Sequence, residues 1–276
     1  MSLNAKPKRT PESLIKSLEF DSEKKILIVE GITDRLFLEF LQNKENTDVV
    51  ILEIENIEIS TEFDGNKGKI IQLISKIPTT VENINYFIDR DYDLSESNVN
   101  TNTILTDFKD LETYLFNEKY LDKFLKIGLK SEKLTANKIY QELLNVQYFG
   151  FVRKYSIIKK LNLPINSCNE KLEKYVTYNK INGVVVDLKR YLSLVIQKAK
   201  LKITPEELEN EIKSFIEDDK SSPEFIIHGK DLIKLLQIIC NNLGYKQDIE
   251  SAFWMSFDQN NVEKYKNLKK VVDFIS

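Results

Sequence analysis

Two short stretches of the chain put carboxylates directly behind apolar runs. The first reads Ile26-Leu27-Ile28-Val29-Glu30-Gly31-Ile32-Thr33-Asp34, and the second Tyr86-Phe87-Ile88-Asp89-Arg90-Asp91-Tyr92-Asp93. In an extended chain successive side chains alternate between faces, so Asp89, Asp91 and Asp93 are expected on one face. Three like charges that close repel one another unless a cation neutralises them. The residue types limit which cation. With 2 Cys and 1 His in 276 residues, Cys168, Cys240 and His228 cannot build a four-ligand zinc site. A Ser-His-Asp mechanism would have to run through His228 alone. Oxygen ligands remain, and these suit magnesium, manganese or calcium.

The elements that would position these carboxylates are legible in the hydrophobic pattern. Residues 11–20 have helical spacing with Pro11 in the first turn. Residues 25–30 form a brief buried strand, and Gly31 breaks it. Thr33 or Asp34 can cap the following helix, where Leu36, Phe37, Phe40 and Leu41 fall at helical spacing. A strand over 49–54, a helix over 67–76 and strands over 84–89 and 103–105 complete the alternation. Such alternation predicts a parallel α/β sheet, whose ligands bind beyond the carboxyl ends of the strands. From residue 117 onward the pattern is mainly helical. The expected organisation is a leader with a short helix (1–24), a metal-binding α/β domain (25–116) and a mainly helical domain (117–276).

Charge is distributed unevenly along that plan. The net charge of −3 comprises 13 Lys/Arg against 22 Asp/Glu in residues 1–116, 18 against 7 in 117–202, and 9 against 14 in 203–276. The basic middle segment is expected to meet a polyanion, although a lysine-rich solvated helical surface would have the same composition. Tyr148 to Tyr155 interleaves aromatic with basic residues, an arrangement that can stack on unpaired bases or simply fill a core. Arg153, Lys154 and Arg190 are the candidate nucleic-acid contacts. The glycines and lysines of 64–69 lack phosphate-loop spacing, and Ile70 follows Lys69 where that motif has Ser or Thr. No apolar run has the ~20 residues of a membrane span, and no apolar signal region follows the basic residues 1–10. A cytoplasmic protein is expected.

Val29-Glu30-Gly31-x-x-Asp34-x-x-Phe37, followed by Asp89-x-Asp91-x-Asp93, resembles the Toprim signature shared by topoisomerases, bacterial primases and OLD-type nucleases. Further pieces resemble a compact Toprim family found beside ABC-type ATPases in bacterial anti-phage defence, including the Toprim effector of the PARIS system. These are Asp89-Arg90-Asp91, Thr106-Asp107-x-x-Asp110-Leu111-Glu112-x-Tyr114-Leu115 and His228-Gly229-Lys230-Asp231-Leu232. The resemblance implies a Toprim-type, Rossmann-like parallel sheet with a mainly helical C-terminal region. It further implies a magnesium-dependent (manganese possible) endonuclease that cleaves nucleic acid under the control of an ABC/OLD-type ATPase.

On that resemblance Glu30 is a metal ligand or general base. Asp89 and Asp91 bind the metal, and Asp93 and Asp34 assist. Glu112 completes a second metal position or orients the phosphate, and Lys230 stabilises charge in the transition state. Read from the residues alone, Asp34 is equally an N-cap, Glu112 a first-turn helix residue, and Gly229-Lys230-Asp231 a helix start. RNA, tRNA above all, is the substrate the family resemblance favours. DNA nicking and a catalytically silent regulatory subunit of the ATPase are the alternatives. A homodimer is the expected assembly.

Overall fold

The computed structural model describes residues 8–42, 48–59, 65–92, 94, 99–131, 134–246 and 248–276. The chain divides into two compact units. The first comprises residues 1–90, 94–107 and 259–276, and the second 91–93 and 108–258.

In the first unit α1 (Pro11–Phe20) precedes β1 (Lys25–Val29), α2 (Ile32–Leu41), β2 (Val49–Glu53), α3 (Gly65–Lys76), β3 (Ile84–Ile88) and β4 (Thr103–Leu105). All strand pairings are parallel, in the order β2-β1-β3-β4. Each strand is three to five residues long and dominated by Ile, Val and Leu, as a sheet covered on both faces requires. Ile26 and Ile28 of β1 join Leu14, Ile70, Leu73 and Tyr86 in the core on one side, while Leu27 and Val29 are buried as well. Thr10 caps α1 by accepting the Ser13 amide at 3.2 Å, and Pro11 fits the first turn because its missing N–H would have had no helical partner.

The C-terminal helix Lys266–Ile275 packs on β4. Asp107 caps it, accepting the amides of Asn267 and Leu268 at 2.9 Å each. Lys25 Nζ donates to the carbonyl of Phe274 at 3.2 Å. Residues far apart in sequence therefore complete one α/β unit.

The second unit is mainly helical. Its helices are α4 (Glu118–Lys123), α5 (Ala136–Leu143), α6 (Gln147–Ile158), α7 (Ile165–Asn169), α8 (Leu188–Ala199), α9 (Pro205–Asp218), α10 (Pro223–Ile226), α11 (Gly229–Asn242) and α12 (Ile249–Trp254). An antiparallel hairpin, β5 (Val176–Asn179) with β6 (Gly183–Val186), interrupts them. The α/β unit thus ends its first pass at Asp107 rather than near residue 116. The stretch from Phe108 to Phe116 belongs with the helices because Leu111, Tyr114 and Leu115 are buried there. No described helix is long and apolar enough to cross a membrane.

Candidate metal centre

The strand order decides where the first unit can bind a ligand. From β1 the chain steps to β2 on one side, then crosses to place β3 on the other. That reversal makes the carboxyl ends of β1 and β3 a topological switch point, where neighbouring connections diverge and leave a crevice. Glu30 follows β1 and Asp89 follows β3, and the two strands are in direct register, Val29 opposite Phe87. The Asp89 amide donates to Oε1 of Glu30 at 3.1 Å. Both side chains are half-buried. Asn66, in the first turn of α3, donates to the Glu30 carbonyl at 2.8 Å and to Glu55 Oε1 at 3.3 Å, while Lys69 donates to Asn66 at 3.3 Å. The backbone at Glu30 is therefore held by its neighbours in the same unit.

The other residues singled out from the sequence have different surroundings. Asp34 accepts the Gly31 amide at 2.9 Å and so secures the turn from β1 into α2. Gly31, not Thr33 or Asp34, is the N-cap of that helix. Asp93 lies outside the described residues. Asp91 has a positive φ of 52°, which the short polar side chain of Asp tolerates better than most. The left-handed residue ends the extended alternation three positions after Ile88, the last residue of the strand, so the expectation of a shared face for Asp89 and Asp91 does not extend through this turn.

Asp91 instead stands in the second unit, where its carboxylate accepts from Nζ of Lys109 and its amide donates to the Lys109 carbonyl at 3.2 Å. Lys109 was not among the residues picked from the sequence. Its neighbour Asp110 is buried and accepts the amides of Gly229 at 2.7 Å and Thr113 at 3.2 Å. Burial pushes the Asp110 carboxyl above its ordinary pKa, opposed by Lys109 and by these amide hydrogen bonds. Glu112 is buried beside Gly229, where a Cβ would lie 2.3 Å from its own Cβ. Only glycine fits that approach. Lys230, next along α11, is exposed.

Arg153 and Lys154 are tied into the second unit. Arg153 is buried, with Nη2 and Nε donating to Asp231 Oδ2 at 3.0 and 3.2 Å and Nη1 donating to Asn166. Asn169 adds a third donor to Asp231 Oδ2 at 2.7 Å. Lys154 donates to Asp219 at 2.5 Å and to Ser221 at 2.9 Å. Phe149, Phe151 and Tyr155 of the aromatic-basic stretch are buried as well. Arg190 is exposed, as are Lys159, Lys160, Lys171, Lys174 and Lys180. The accessible positive charge of the basic segment therefore comes from exposed residues such as these rather than from Arg153.

Among the described residues no three Asp, Glu, His or Cys side chains cluster as an ion-holding group. Magnesium does not demand one, since it commonly keeps several waters and takes one or two carboxylates. Glu30 and Asp89 stand at the ends of two neighbouring strands, joined by the bond from the Asp89 backbone amide to the Glu30 carboxylate. The chain matches no protein-family model and no curated protein.

Proposed function

We propose that the chain is a magnesium-dependent, phosphodiester-cutting enzyme of the Toprim type. The observation that carries this reading is the pairing of Glu30 with Asp89 at the switch point of a four-stranded parallel sheet. A divalent ion bound there would lower the pKa of water and stabilise charge on the phosphate. In this reading Glu30 and Asp89 are the ion's carboxylates. Manganese would substitute, because the donors are all oxygen.

The Glu30 carboxylate, on a backbone held by Asn66, would hold the ion or take the proton of the attacking water. Lys230, exposed at the start of α11, is the lysine to which the motif resemblance gives the stabilising of charge on a phosphate. Glu112 is buried beside Gly229, and its part in a second metal position or in orienting the phosphate rests on the motif resemblance. The exposed lysines and Arg190 of residues 117–202 support nucleic acid as the substrate class. RNA, tRNA first, acting in anti-phage defence under an ABC/OLD-type ATPase, rests on the motif resemblance, as do a cytoplasmic location and a homodimer. The second reading is a catalytically silent Toprim-like subunit of the ATPase. It is favoured by the engagement of Asp91 with Lys109.

The test is incubation of the purified chain with total tRNA and with plasmid DNA, each with magnesium or EDTA, beside Glu30→Ala. Magnesium-dependent cuts in tRNA that disappear in Glu30→Ala are the expected result. Cuts confined to plasmid would keep the chemistry and replace the substrate. No cut in either, with the ATPase present as well as absent, would leave the silent subunit.

A further inference from the structure

An acidic run needs a counter-cation, and at Asp91 the protein supplies its own. Lys109 is 1% exposed, the one lysine among the largest fully buried side chains of the described residues. A lysine head is withdrawn from water at this cost only when something replaces its hydration. Here the replacement has several parts. Nζ donates to Asp91 Oδ1 and lies 4.4 Å from the centroid of the Tyr92 ring. The backbone at Lys109 is held separately: its carbonyl accepts the Asp91 amide, and its amide donates to the Glu224 carbonyl at 3.0 Å. The Tyr92 hydroxyl in turn donates to the Ile226 carbonyl at 2.7 Å, which fixes the ring under the ammonium.

We infer that Asp91 is the anchor of Lys109 and not a metal ligand, so that the two aspartates of the Asp89-Arg90-Asp91 motif have separate tasks. Asp89 serves the ion with Glu30. Asp91 neutralises a buried lysine and, through its left-handed turn, joins residues 91–92 to the helical unit. The assignment of Asp89 rests on the proposed function; the pairing of Asp91 with Lys109 does not.

The pair is unsymmetrical, and the asymmetry is measurable. The Asp91 side chain is 35% exposed, so without Lys109 it can be hydrated. Without Asp91 the Lys109 ammonium stays buried and uncompensated. Asp91→Asn keeps a residue suited to positive φ and removes only the charge.

The experiment combines thermal melting with Mn2+ binding by calorimetry on Asp91→Asn, Lys109→Met, the double variant and Asp89→Asn. Asp91→Asn is expected to lower Tm by about 10 °C, Lys109→Met by less, and the double variant to recover part of the loss. Mn2+ affinity is expected to stay within about twofold of the parent in Asp91→Asn and to fall about tenfold or more in Asp89→Asn. If Asp91→Asn does not fold alone, the double variant, which removes both charges of the pair, carries the Mn2+ measurement.

Asp91→Asn weakening Mn2+ as much as Asp89→Asn would overturn the inference, as would Tm losses that simply add in the double variant. A parent chain that binds no Mn2+ would instead defeat the proposed metal centre. Recovery in the double variant would then still establish the Asp91–Lys109 pair.

Discussion

The amide of Asp89 donates to the carboxylate of Glu30 across 3.1 Å, joining the ends of two adjacent parallel strands. The bond needs an acceptor oxygen but no negative charge, which allows the chemical role of Glu30 to be separated from its structural one. Glu30→Gln keeps a carbonyl oxygen where Oε1 stands. Its Tm is expected within about 2 °C of the parent, while magnesium-dependent cutting falls about 100-fold or more. Parent-like cutting by Glu30→Gln would remove Glu30 from the chemistry.

Arg153 and Arg190 should part company in the same assays. Arg153 is buried against Asp231, so Arg153→Ala strands a buried carboxylate and is expected to cost about 3–5 kcal/mol in a urea titration. Arg190 is exposed. Arg190→Glu is expected to leave the urea midpoint unchanged while weakening nucleic-acid binding and flattening its salt dependence. Equal loss of stability in both variants would contradict this division.

His228 gives the fold a pH dependence whose sign can be worked out. Its Nδ1 is buried without a hydrogen-bond partner among the described residues, at the N-cap of α11. Burial first, then Arg153 and Lys109, holds its pKa well below the ordinary value; Lys230 acts the same way and Asp91 opposes them. The unfolded chain therefore takes up a proton near pH 6.5 that the folded chain refuses. The stability this group contributes is complete above pH 6.5 and is lost as pH falls below it, by up to about 1.4 kcal/mol per pH unit. Asp110, whose carboxyl is raised mainly by burial, acts with the opposite sign, favouring the folded state as the medium becomes more acidic. Urea titrations at pH 7.0, about 6.0 and about 5.5 should diverge between the parent and His228→Gln. Parallel curves would show that His228 is not the titrating group.

Gly150 sits where α6 meets the chain at Ile226. A Cβ there would come within 2.0 Å of the Ile226 carbonyl oxygen and 2.7 Å of its carbon, and backbone atoms cannot rotate aside. Alanine would gain about 1 kcal/mol of helix propensity. The forced separation is expected to cost more, for a net loss of about 2 kcal/mol or greater. Stabilisation by Gly150→Ala would mean that α6 and α10 part easily.

Local pattern was enough to read the sheet. The strands expected at 25–30, 49–54, 84–89 and 103–105 are found at Lys25–Val29, Val49–Glu53, Ile84–Ile88 and Thr103–Leu105. Apolar runs bounded by charge carry that information within a few residues. Glu30 and Asp89 followed from the same runs, because a strand end is a local feature. The turn at Asp91 was not legible, since no hydrophobic period marks a single left-handed residue. Lys109 escaped for a related reason. A lysine between Phe108 and Asp110 looks like surface, and only its contacts with Asp91, Tyr92 and Glu224 reveal burial. Arg153 shows the reverse: its basic, aromatic neighbourhood was compatible with a nucleic-acid contact, and its bond to Asp231, 78 residues away in sequence, could not be read from pattern.

The membership of residues 259–276 in the α/β unit sets a schedule for synthesis. The four strands and Asp107 leave the ribosome first, and the residues that Asp107 caps follow 160 and 161 positions later. At ~5–20 residues per second the nascent sheet waits roughly 8–30 s for this helix. During that interval Glu30 and Asp89 already exist on a chain whose sheet still lacks that helix, so a ribosome stalled short of residue 259 would carry the acidic pair on an unfinished support.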